Sequence, residues 1–213
     1  MIKGVIFDMD GVLIDAKDWH YEALNRALGH FGYQINRYDH LVTYDGLPTR
    51  KKLEMLSLER DLPRGLHHFL NELKQLYTME LTYQHCRPKF VHEFALSKLK
   101  ADGYKIGVAS NSIRSTIETM MALSRLQPYL DCITSNQDVV QGKPDPEIYT
   151  KTLTCLGLQP HEAIVVEDNE HGIRAARAAG THVVIVKSVE EVTYDRIKQE
   201  IDSISRAQGG TSS

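Results

Sequence analysis

Gly4-Val5-Ile6-Phe7-Asp8-Met9-Asp10-Gly11 decides how this chain is read. A short apolar run with no polar alternation reads as a strand buried on both faces. It stops in two carboxylates spaced two residues apart. While the backbone stays extended, Asp8 and Asp10 face the same side. Gly11 then lets the chain turn sharply. In open α/β sheets, ligands bind beyond the carboxyl ends of the strands, so both aspartates would point into that crevice. Taken alone, the same stretch also fits a strand-ending turn with two solvated aspartates.

Further short apolar runs read as parallel strands: Lys105 to Ala109, Cys132 to Thr134, Ala163 to Val166 and His182 to Val186. Helical patterns lie between them, including Ser112 to Ser124 and Pro146 to Gly157, where a first-turn proline and a terminating glycine mark the ends. Alternation of strand and helix predicts right-handed βαβ units in an open sheet. The stretch from about Ala16 to Arg87 breaks the alternation. Trp19, Ala23, Leu24, Ala27, Leu28 and Phe31 mark one amphipathic helix. Leu53, Leu56 and Leu58, then Leu66, Phe69, Leu70, Leu73 and Leu76, predict at least two more. The expected organisation is a catalytic core of residues 1–15 and 88–213 with a helical insertion at 16–87. Its hinges fall near Asp15 to Asp18 and Cys86 to Lys89. Gln208 to Ser213 reads as a frayed tail.

The fourth strand also ends in acid, Glu167-Asp168-Asn169. Carboxylates converging on one crevice repel unless a cation joins them, and all-oxygen ligands favour a hard ion, Mg²⁺ over Zn²⁺. Asp168 is the expected direct ligand and Glu167 the outer one. Gly142-Lys143-Pro144-Asp145-Pro146 presents one lysine from a loop stiffened by two prolines. A lysine there can offset the charge of a phosphoryl group and its nucleophile. Ser110, at the end of the second strand, can hydrogen-bond a phosphate oxygen beside a helix start. Ser110-Asn111-Ser112 is equally a good helix cap.

Composition narrows the function classes. A net charge of −3 carries no basic excess for nucleic acid or an anionic membrane surface. No stretch approaches the roughly 20 apolar residues that a membrane span needs, and the first apolar run is too short for a signal peptide. Cys86, Cys132 and Cys155 are odd in number and lack paired spacing, so three free thiols in a reducing cytoplasm are expected.

Together these motifs resemble the haloacid dehalogenase superfamily, in the helical-cap branch that holds phosphoglycolate phosphatase-like enzymes and β-phosphoglucomutase. The matching residues are Asp8-Met9-Asp10-Gly11-Val12-Leu13-Ile14-Asp15, Ser110-Asn111, Gly142-Lys143-Pro144-Asp145-Pro146, and Glu167-Asp168-Asn169 followed by Gly172-Ile173 and Ala175-Ala176. The resemblance implies a Rossmann-like three-layer α/β core with a central parallel sheet of order 3-2-1-4-5 and an inserted helical cap. It implies that Asp8 attacks phosphorus to form an aspartyl-phosphate and that Asp10 is the acid and base. Mg²⁺ would rest on Asp8, the backbone carbonyl of Asp10, and Asp168. Ser110, Asn111 and Lys143 would hold the phosphoryl oxygens. An Asp8 of ordinary pKa, ionised at pH 7, would need no base.

In the cap, His20 matches a histidine that faces the acid/base aspartate in relatives. Gly46-Leu47-Pro48-Thr49-Arg50 looks like a specificity segment in which Arg50 could meet an anionic substrate group. Each also fits an ordinary surface side chain. Mutases of this type tend to carry a basic residue where this chain has Asp45, and Ser-Lys where it has Ser112-Ile113. A phosphatase acting on a small phosphorylated metabolite is therefore expected ahead of a sugar phosphomutase. A monomer is expected, since a cap must swing.

Overall fold

The computed structural model describes residues 1–44 and 46–209, with side chains through Arg206. Asp45, on which the mutase comparison falls, and residues 210–213, the end of the expected tail, lie outside the described residues. The chain forms two compact units, one of Met1–Asp15 with Arg87–Ser213, the other of Ala16–Cys86.

The first unit is built on five strands: β1 (Gly4–Phe7), β2 (Lys105–Ala109), β3 (Cys132–Thr134), β4 (Ala163–Glu167) and β5 (His182–Ile185). All pair in parallel in the order β3-β2-β1-β4-β5. Gly4 stands opposite both Lys105 and Ala163, so β1 is the central strand. Every residue of β1 is buried, and alternate side chains point to opposite faces. Both faces of the sheet are therefore covered, as a parallel sheet requires.

Five helices belong to this unit: α5 (Phe90–Ala101), α6 (Arg114–Leu123), α7 (Glu147–Leu156), α8 (Glu170–Ala178) and α9 (Tyr194–Gly209). Helices α7 and α8 pack beside each other, α7 on β2 and β3 and α8 on β4 and β5. Ile6, Ala109, Ile148, Tyr149, Leu153, Val165 and Ala176 form the core between these helices and the sheet. A side chain at Gly107 of β2 would run into Thr152, so glycine allows α7 to approach closely. Helix α9 continues two residues into the stretch expected as tail.

One expectation is corrected here. Cys132 and Cys155 are joined by a disulfide, with Cα atoms 6.3 Å apart, and Cys86, which is buried, lies outside it. Packing of α7 on β3 brings together two cysteines 23 residues apart, which sequence spacing cannot show. Three free thiols are therefore not present, and the cysteines do not point to a reducing compartment. Among the described residues, no helix is long and apolar enough to cross a membrane.

The second unit contains α1 (Lys17–Gly29), the one-turn α2 (Arg37–Asp39), a π-helical turn at His40–Tyr44, α3 (Thr49–Glu59) and α4 (His67–His85). Helices α1 and α4 run against each other. The core is Leu24, Ala27, Leu28, Ile35, Tyr44, Leu53, Leu56, Leu62 and Leu70. Leu58, Phe69 and Leu76, read as face markers, are instead largely exposed, and Phe31 lies just past α1 and is also exposed. Leu58 follows Leu56 by two residues, an offset that leaves a helix face, whereas Leu53 and Leu56 share one.

Candidate active site

Each predicted site segment of the first unit follows the carboxyl end of a sheet strand. Asp8 extends β1 by one more ladder bond, donating its N–H to Val166 O at 3.0 Å. Beyond it the chain closes a tight turn. Leu13 and Ile14 donate to Met9 O, Gly11 donates to Ile14 O, and Gly11 takes φ 85°, a left-handed value suited to glycine. The turn holds Asp8 and Asp10 beside the strand end.

Lys143 arrives from the loop before α7. Its N–H donates to Asn111 Oδ1 at 3.0 Å, and Gly142 packs so tightly on Asn111 that a side chain there would collide. The Lys143–Pro144 peptide is cis. Lys143 is almost wholly buried, 4% exposed, and its ammonium donates at 2.6 Å to both Asp8 Oδ1 and Glu167 Oε1. Glu167 is held at both oxygens. Oε1 also accepts from Tyr149 Oη at 2.6 Å, and Oε2 accepts from the N–H groups of Asp168 and Asn169 at 3.0 and 3.2 Å. Asn169 Oδ1 caps α8 through His171 N–H. Gly172, in the first turn of α8, leaves the room that the Glu167 carboxylate occupies; a Cβ there would overlap it.

Carboxylate oxygens of Asp8, Glu167 and Asp168 lie within 4.8 Å of one another. One ammonium does not balance three carboxylates. Burial pushes the Asp8 carboxyl well above its ordinary range; Lys143 opposes this, while Glu167, Asp10 and Asp168 add to it. Burial also works against the Lys143 ammonium, yet Asp8 and Glu167 outweigh it and hold Lys143 above its ordinary value. The site's excess of hard oxygen donors over positive charge is the chemistry that fits a hard divalent cation.

Ser110 is buried. Its N–H donates to Thr134 O at 3.1 Å, and its Oγ accepts from Ser112 N–H at 3.1 Å. Ser112 Oγ donates to Asp10 Oδ2 at 3.2 Å, a contact that sequence reasoning did not foresee. Tyr149 was also missed, because its only sequence signal is an apolar position of α7. Within the second unit, His20 Nδ1 lies 3.2 Å from Lys74 Nζ. Arg50 donates to Glu54 Oε1 at 3.1 Å from an 89% exposed side chain.

The sequence profile described as haloacid dehalogenase-like hydrolase matches residues 5–186. The chain is 30% identical over 189 residues to a pyrophosphatase, PpaX, of Anoxybacillus flavithermus, covering 84% of this chain and 81% of that protein. It is 32% identical over 183 residues to a phosphorylated carbohydrates phosphatase of Thermotoga maritima, covering 84% and 82%. The crystal structure of β-phosphoglucomutase from Clostridium difficile superposes with a TM-score of 0.82 at 22% identity, covering 95% and 98%, a likeness of fold. Profile, relatives and sheet order agree, and this chain belongs to the haloacid dehalogenase-like hydrolase family.

Proposed function

We propose that the chain is a Mg²⁺-dependent phosphatase that hydrolyses a small phosphate monoester, such as a sugar phosphate or phosphoglycolate, through an aspartyl-phosphate on Asp8. The observation that carries this reading is the buried Lys143 ammonium, shared at 2.6 Å between Asp8 and Glu167 with Asp168 alongside. Buried charge so concentrated serves folding poorly and suits a charged ligand well.

In this reading an Asp8 oxygen attacks phosphorus, and the bond from phosphorus to the ester oxygen breaks. Asp10, oriented by Ser112, gives its proton to the leaving oxygen. Water then attacks the same phosphorus, Asp10 takes the water's proton, and the bond to Asp8 breaks to release inorganic phosphate. Lys143, Ser110 and Asn111 hold the phosphoryl oxygens, and Asn111 Oδ1 also accepts the Lys143 N–H. Asp8, the Asp10 carbonyl and Asp168 would hold Mg²⁺, with Glu167 behind them. Bound there, the ion neutralises the charge on Asp8 and on the phosphoryl oxygens.

The similarity to a phosphatase of phosphorylated carbohydrates supports a phosphorylated metabolite as substrate. Selection among such metabolites is assigned to the helical unit, with His20 and Arg50 as candidate contacts. The alternative is a sugar phosphomutase, and the fold likeness to β-phosphoglucomutase fits it. A mutase needs a second phosphate site. Ser112-Ile113, where such mutases tend to carry Ser-Lys, favours the hydrolase.

A panel of phosphate monoesters with Mg²⁺ tests the proposal. Hydrolysis should disappear on chelation and return with Mg²⁺, and Asp8→Asn should lower kcat by about 10³-fold or more without unfolding the chain. Near-normal turnover by that variant would sink the mechanism. Glucose 6-phosphate formed from β-glucose 1-phosphate and a trace of bisphosphate, faster than phosphate release, would select the mutase.

A further inference from the structure

Tyr149 brings a buried hydroxyl to the site that the mechanism leaves without a role. It lies in the first turn of α7, six residues after Lys143, and is fully buried. Its hydroxyl donates to Glu167 Oε1, the same oxygen that accepts Lys143 Nζ, both at 2.6 Å. The Lys143 ammonium also stands over its ring, 4.9 Å from the centroid. Glu167 Oε2 is anchored by two backbone N–H groups, and the first turn of α8 passes against the carboxylate at Gly172. Glu167 therefore cannot move aside.

Lys143 is shared between two carboxylates at equal distance, so its position depends on how strongly each attracts it. In a dry interior a carboxylate oxygen with fewer donors attracts a cation more strongly. The Tyr149 hydroxyl meets part of the demand of Glu167 Oε1. Without it, Lys143 would be drawn toward Glu167 and away from Asp8, where phosphoryl charge develops.

We propose that Tyr149 is a positioning residue for phosphoryl transfer, acting through Glu167 to keep Lys143 available to Asp8 and the phosphoryl group. This rests on the phosphatase reading above. The site needs Tyr at this position for its hydroxyl, whereas α7 packing needs only the ring.

The test is kcat and KM for p-nitrophenyl phosphate with Mg²⁺, for wild type, Tyr149→Phe, Glu167→Gln and the double variant. Tyr149→Phe should lower kcat about tenfold, the effect of one buried hydrogen bond to a charged group, with KM within about twofold. In the Glu167→Gln background the Tyr149→Phe loss should shrink to less than about twofold, because an uncharged amide no longer competes for the lysine. A Tyr149→Phe kcat within about twofold of wild type overturns the inference. So does a loss that persists undiminished in the Glu167→Gln background, which marks a packing role. Wild-type chain that hydrolyses no phosphate ester would remove the phosphatase reading and this inference with it; an active wild type with an unaffected Tyr149→Phe removes the inference alone.

Discussion

The two units place their charges in opposite ways. In the sheet unit, Asp8, Lys143 and Glu167 are buried together and cross-linked by charge-assisted hydrogen bonds. In the helical unit, the described core is aliphatic apart from Tyr44, and ion pairs sit near the surface. Arg26 with Glu80, and Arg37 with Asp18, have side chains a third to two thirds exposed. Exposed pairs contribute about 0–1 kcal/mol each, whereas burying charge carries a large desolvation penalty. The sheet unit thus gives up stability at one place in return for chemistry, whereas these ion pairs of the helical unit stay where water screens them.

Substitutions in each unit test that contrast. The largest effect on stability should come from Leu28→Ala in the helical core, where a fully buried side chain leaves a cavity. The expected loss is about 2–5 kcal/mol, read by denaturant unfolding. A loss below about 1 kcal/mol would deny that this unit rests on its apolar core.

The next effect is on activity. Gly172→Ala would push a methyl group into the Glu167 carboxylate and so disturb Lys143. A fall in kcat of about tenfold or more is expected, although alanine in a helix is favoured over glycine by roughly 1 kcal/mol. Unchanged kcat would mean that Glu167 does not set the position of Lys143.

The smallest effect comes from the same exchange in the other unit. Gly29, at the end of α1, has open space where a Cβ would stand. Gly29→Ala should leave kcat unaltered and raise stability by about 0.4–1 kcal/mol, read as a higher unfolding midpoint. Destabilisation there would show that the contrast between the two glycines is not one of surroundings.

What was legible in the sequence was local. The bounds of β1, β2 and β3 could be read directly, because each is an apolar run cut off by polar or glycine-containing turns. Asp8, Lys143, Glu167 and Asp168 could be named because each directly follows, closes or precedes a strong element signal, and the structure brings them together. Features that depend on packing could not be read. Tyr149 looked like one more apolar position of α7, and only the approach of β4 turns its hydroxyl into a partner of Glu167. The Cys132–Cys155 bond depends on how α7 lies on β3. In the helical unit, large apolar side chains at Leu58, Phe69 and Leu76 imitated a buried face that geometry does not give them. Equally, nothing in the sequence announced the π-helical turn at His40–Tyr44.

The central claim is that Asp8 carries the phosphoryl group. Asp10→Asn offers the most direct test, since it removes the base that should release the group while leaving the nucleophile. Mixed with p-nitrophenyl phosphate and Mg²⁺, a substrate whose leaving group needs little protonation, this variant should release a burst of about one p-nitrophenol per chain. Acid quenching and peptide mass spectrometry should then find the phosphoryl group on Asp8. Steady release of inorganic phosphate with Asp8 unmodified, or a phosphoryl group on any other residue, would contradict the account.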